Sequence, residues 1–138
     1  MFFLKNKQGF TLIELIVVVV ILGLLATIVA PKFLDKPSQA KRIVAKTNIE
    51  SIKSALELYK LDNGVYPTTN QGLDALVIKP TGVDNWKAGG YISKLPTDPW
   101  GRDFQYLQPG ENGAYDIFSY GLDNQEGGTD ENADIVSW

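Results

Sequence analysis

The chain has 138 residues, 44% of them hydrophobic, with a formal net charge of −3 and neither cysteine nor histidine. These two absences exclude disulfides, thiolate chemistry, Ser-His-Asp and Cys-His catalysis and the usual zinc ligand sets, leaving carboxylates, hydroxyls, lysines and carbonyl oxygens as the available chemistry. Nine of the 13 Lys and Arg residues lie in the first sixty positions and none follows Arg102, whereas eight acidic residues do. That asymmetry argues against nucleic-acid binding by the C-terminal region and leaves solvated acidity or a hard-cation site.

A short leader, residues 1–9, carries Lys5 and Lys7 and ends at Gly9. Behind it, residues 10–30, "FTLIELIVVVVILGLLATIVA", contain a single formal charge, Glu14. As a helix rising ~1.5 Å per residue, this run spans a hydrocarbon core of ~30 Å. A secretory signal peptide cut after Ala30 would put Ile28 where a small residue belongs and Pro31 after the bond, which argues against it. An ordinary permanent anchor fits poorly as well, because a carboxylate inside a bilayer costs at least ~2.5 kcal/mol and tends to be paired or functional. No basic residue lies between Phe10 and Ala30. A cut between Gly9 and Phe10 would supply the missing positive charge as a new α-amino group.

The stretch "KQGFTLIELIVVVVILGLLATIVAPKF" resembles the class III signal of type IV pilins and type II secretion pseudopilins. The resemblance implies cleavage by a prepilin peptidase between Gly9 and Phe10, N-methylation of Phe10, and contact between Glu14 and the N-terminal amine of a neighbouring subunit. It also implies a cytoplasmic leader and a C-terminal domain in the periplasm. A positive-inside count, with Lys32, Lys36, Lys41, Arg42 and Lys46 beyond the span, favours the opposite orientation. The processing signal takes precedence over that count.

Residues 31–63 continue the spine. Pro31 and Pro37 each lack a backbone donor, so a kink or short break is expected there. Beyond them the residues are helix formers, with Ile49, Ile52, Leu56 and Tyr59 spaced to share one face of an amphipathic helix. Gly64 reads as its stop. If wholly helical, residues 10–62 would extend about 80 Å. In filaments of the pilin-like kind, the segment corresponding to Gly23–Pro31 can unwind on assembly, so both residues are expected to bear on assembly.

Residues 64–138 are loop-rich. A Tyr-Pro turn precedes Leu73, Leu76 and Val77, whose spacing fits a short helix or turn; "FQYL", "GAYDIFSYG" and "IVSW" read as strands, with "QPGENG" as a hairpin connection. The expected class is α+β, a long N-terminal helix packed on a small antiparallel sheet. Trp100, Phe104, Tyr106, Tyr115, Phe118 and Trp138 read as core or interface material rather than a stacking platform, and Asp98 before Pro99 as a turn residue rather than a catalytic acid. "YPTTNQGLDALV", "GGYISKLPTDPWGRDFQYLQPG" and "FSYGLDNQEGG...ADI" are similar to the major pseudopilins of type II secretion systems, within the type IV pilin-like family. A type IV pilin, for adhesion or motility, is the alternative; it usually has a disulfide-closed C-terminal region.

"YGLDNQEGGTDENADI", residues 120–135, gathers oxygen ligands around glycines. Counted from Asp123, Gly128 is sixth and Asp134 twelfth, as in an EF-hand, but Gln125 and Gly127 stand where that motif wants Asp or Asn. The residues alone leave a solvated loop and a bound cation both open. The resemblance implies calcium, with Asp123, Asp134 and the Tyr120 carbonyl as ligands. Ala133 stands where some relatives have a second Asp; Asp130 replaces it, with Glu126, Glu131 and Asn132 as weaker candidates.

The whole reading is a non-catalytic subunit that forms a helical homopolymer, the periplasmic pseudopilus, after residence in the bacterial inner membrane. Minor pseudopilins, the inner-membrane platform protein and the motor ATPase are partners implied by the resemblance. A membrane-anchored enzyme using paired carboxylates and a monomeric anchored calcium module are the readings from other classes.

Overall fold

The structure is a computed structural model that describes residues 8–138, without the side chains of residues 29–36. The leader lysines therefore lie outside the described residues. The chain divides into two units, Met1–Pro37 and Ser38–Trp138.

Helix α1, Leu12–Asn63, is assigned without interruption. Of the kink or short break expected at Pro31 and Pro37, the break is not seen: a proline removes one donor, but its fixed φ near −65° is itself helical. In the first unit, every described side chain from Leu12 to Ile28 is exposed. Leu12, Val18 and Ile28 retain 75%, 46% and 66% of their surfaces, so this apolar helix finds no cover within its own chain. Among the described residues no helix is long and apolar enough to cross a membrane. The described apolar run stops at Ile28, short of the ~20 residues that a span requires, while Val29 and Ala30, which prolong it in the sequence, have undescribed side chains.

In the second unit, α1 is amphipathic as its spacing predicts. Ala45, Ile49, Ile52, Ala55, Leu56 and Tyr59 form its buried stripe and join Leu73, Leu76, Tyr91, Phe104, Tyr106, Ile117 and Ile135 in one core. The helix ends where Gly64 takes φ 79° and donates to the Lys60 carbonyl at 2.7 Å, a left-handed cap open to glycine at no steric cost. Leu73–Leu76 form a single 3₁₀ turn that inserts Leu73 and Leu76 into the core; Val77, just beyond, is half-buried.

Three short strands complete the unit: β1 Gln105–Leu107, β2 Asp116–Ser119 and β3 Ile135–Val136. All pair antiparallel in the order β1-β2-β3, with Tyr106 opposite Ile117 and Ser119 opposite Ile135. The sheet is smaller than the sequence suggests, because loop residues hold it. Asp116 is buried and accepts from the backbone of Glu111 at 2.8 Å and from Asn112, closing the β1–β2 connection. The period of two sends Ile117 and Ile135 into the core and leaves Phe118 outside, edge-on to Trp138, which is 55% exposed. Phe104 and Tyr106 are core residues as expected, Trp100 and Tyr115 pack at its margin, and Trp138 is not core.

Candidate functional site

Two regions hold the residues singled out by the sequence. At the N-terminal end, Gly9 and Phe10 precede the helix, exposed and non-helical. The Thr11 hydroxyl accepts the backbone N–H of Glu14 at 3.3 Å, which makes Thr11 the N-cap and Glu14 the third helical residue. "TLIE" is the S/T-x-x-E capping signature, legible in the sequence alone. Glu14 also stands in the first turn of the helix, at the positive end of its dipole. A Cβ added at Gly23 would meet open space, so packing within the chain does not require glycine there. Pro31 lies inside α1, its side chain undescribed.

The second region is the acidic loop after β2. It leaves the sheet at Tyr120, turns at Asn124 and Asp130, both with positive φ, passes a 3₁₀ turn at Asp130–Asn132, and re-enters the sheet at β3. Its strands of backbone lie close enough to demand glycine. A Cβ at Gly128 would come within 2.6 Å of the Asn132 carbonyl, and one at Gly121 within 2.9 Å of the Ala133 carbonyl.

The predicted ligands are dispersed rather than gathered. Asp123 turns back to accept the Gln125 N–H at 3.1 Å. Asp130, Glu131 and Asn132 are exposed on the 3₁₀ turn. Tyr120, Glu126 and Asp134 share a cleft of about 250 Å³ with Phe118 and Trp138. Asp134 accepts the Gly127 N–H through one oxygen at 2.9 Å, and its other oxygen, Oδ1, is buried without a hydrogen-bond partner. Among the described residues no group of three or more acidic side chains is close enough to hold a metal ion together. A cation here would draw on carbonyls as well as carboxylates, a donor set that suits calcium.

Two arginines, neither marked as a site residue by any sequence motif, hold this loop. Arg42 of α1 donates through Nη1 to the carbonyls of Ala133 at 2.8 Å and Asp130 at 3.2 Å. Arg102 donates through Nη2 to those of Gly121 at 2.6 Å and Leu122 at 3.0 Å. Asp98, expected as a turn residue, is one: its Oδ1 accepts the N–H groups of Trp100 and Arg102, and the short turn 98–103 positions Arg102.

Residues 32–138 match the family described as "Type II secretion system (T2SS), protein G", and residues 4–30 match the "Prokaryotic N-terminal methylation motif". The chain belongs to the type II secretion protein G family. The type II secretion system core protein G of Pseudomonas aeruginosa is 55% identical over 97% of this chain and 96% of its own length. That of Vibrio cholerae is 53% identical over 98% of this chain and 94% of its own. A crystal structure of the major pseudopilin from the type 2 secretion system of enterohaemorrhagic Escherichia coli is 42% identical, covering 76% of this chain and 92% of that one with a TM-score of 0.67. Between the two filament families left by the sequence, these matches favour the secretion pseudopilin over the type IV pilin.

Proposed function

We propose that this protein G is a structural subunit that polymerises into the periplasmic pseudopilus of a type II secretion system, driving export of folded proteins across the outer membrane. The observation that carries this reading is the helix from Leu12 to Ile28, apolar on every side and uncovered by its own chain. Such a surface must be held by lipid or by like helices. A subunit stored in the inner membrane and then bundled with copies of itself uses both in turn. The chain performs no catalysis in this scheme. Minor pseudopilins, the platform protein and the motor ATPase are its partners in assembly.

Prepilin peptidase would release Phe10 as the first residue and methylate it. The new amine then provides the charge missing from the apolar run, and Glu14 of a neighbouring copy is its counter-ion. Gly23, free of packing demands in the single chain, and Pro31 bound the segment that would unwind in the filament. The mature mass, with filaments counted in the presence of the secretion machinery, tests the scheme. A chain still beginning at Met1 in working filaments overturns it.

The unpartnered Oδ1 of Asp134 supports calcium as the resident cation, since a buried carboxylate oxygen left without a donor is costly. Asp134, Asp123 and the Tyr120 carbonyl would hold it, with Asp130, Glu126, Glu131 or Asn132 completing the oxygens. Calcium would neutralise mutually repelling carboxylates and tie β3 to the sheet, a staple for a chain without cysteine.

A further inference from the structure

The acidic loop contains Asp123, Glu126, Asp130, Glu131 and Asp134 and is held by two guanidinium groups, yet among the described residues neither arginine pairs with a carboxylate. Among the described residues the one ion pair is Lys53 with Glu50, far along the helix. Arg42 and Arg102 instead donate to four main-chain carbonyls, two where the loop departs and two where it returns. A guanidinium with two acceptors in fixed directions restrains backbone far more than a flexible ammonium does. The restraint falls where the backbone needs it: Asp130, whose carbonyl Arg42 holds, has φ 52°, a left-handed conformation that a non-glycine residue leaves when untethered.

We propose that Arg42 and Arg102 are positioning residues for the cation loop, fixing its two stems by their carbonyls so that its carboxylates and remaining oxygens are free to meet calcium in one arrangement. This inference rests on the calcium reading above. Arg42 brings the tether from α1, so the loop is seated directly on the helix, and Arg102 brings it from the turn that Asp98 organises. The two arms predict opposite results from charge alone. Removing a positive charge beside a cation site strengthens cation binding by Coulomb's law. Removing a positioning residue weakens it, by about 10–100-fold for groups that orient metal ligands from outside the ligand shell.

The test uses the full mature chain in detergent micelles, with calcium chloride as the probe in titration calorimetry and amide hydrogen exchange measured in chelator. Arg42→Ala is expected to weaken calcium binding about tenfold and to speed exchange at the Leu122 and Ala133 amides, while Ile52 and Leu56 stay protected. Arg42→Lys keeps the charge and recovers part of the affinity. Arg102→Ala repeats the loss at the other stem; if it fails to fold, the Arg42 pair carries the test alone. Wild-type binding with unchanged or tighter calcium binding in Arg42→Ala overturns the positioning role and leaves the calcium reading standing. No calcium binding by the wild type overturns both.

Discussion

The hydroxyl of Ser119 donates to Oδ2 of Asp98 at 2.8 Å, and both residues are buried, at 2% and 4% exposure. The other oxygen of Asp98 takes two backbone N–H groups, so one carboxylate joins the turn before β1 to the end of β2. Such a bond is strong where water is excluded, and its loss strands the donors that remain. Asp98→Ala is expected to cost about 3 kcal/mol, and Ser119→Ala about 1–2 kcal/mol. Urea unfolding of the mature chain measures both, and the double variant should cost less than their sum. Strict additivity would mean that the two side chains act independently.

The cap at Thr11 allows the two roles of Glu14 to be separated. Thr11→Val removes the hydroxyl that caps the helix and should destabilise its first turn by about 1 kcal/mol, with filament assembly retained. Glu14→Gln leaves the cap in place and removes the charge, and filaments should then fail to form from helical, membrane-inserted subunits. Circular dichroism in micelles and filament counts give the two readouts. Abundant filaments from Glu14→Gln would show that charge pairing with the Phe10 amine is unnecessary.

Much of this architecture is legible from local pattern. The stripe Ile49, Ile52, Leu56 and Tyr59 lies on one helical face as its 3.6-residue spacing requires, and "FQYL" alternates as a half-buried strand does. The ends were less legible. Pro31 and Pro37 read as a break since a sequence shows the lost donors but not the helical φ that survives. Trp138 read as core or interface material, and its exposure leaves the second, because an aromatic near a sheet gives no sign of which face it takes when the strand is two residues long. The acidic loop was visible as chemistry and invisible as geometry. Its hydrogen bonds to Arg42 span 88 and 91 positions, and no periodicity links residues so far apart.

Calcium should set the stability of the second unit through Asp134. A ligand present at 100 times its dissociation constant stabilises by about 2.7 kcal/mol, several degrees or more in melting temperature for a domain of this size. Chelation of the wild type is expected to produce that drop, while Asp134→Ala should melt at one temperature in calcium and in chelator, near the chelated wild type. Differential scanning calorimetry of the mature chain decides the matter. A calcium response that survives in Asp134→Ala would place the cation elsewhere.

The tyrosines set the alkaline limit. Burial, its largest cause in each case, raises the phenol pKa of Tyr106, Tyr115 and Tyr91 above the ordinary value of 10.0; the neighbouring Tyr115 phenol adds to the rise at Tyr106, and Glu57 to that at Tyr115. A raised native pKa means that the folded chain holds these protons more tightly than the unfolded chain. Their contribution is therefore complete below pH 10 and declines as pH climbs through the native values. Phenolate absorbance and loss of tertiary structure should consequently rise together in a base titration, both beyond pH 10. Tyr106→Phe removes the buried hydrogen bond to the Pro67 carbonyl and should cost about 1 kcal/mol at neutral pH. Because the variant also removes a proton that folding protects, its stability should fall less steeply with pH than that of the wild type. Parallel slopes above pH 10 would show that Tyr106 ionises as readily folded as unfolded, contrary to its burial.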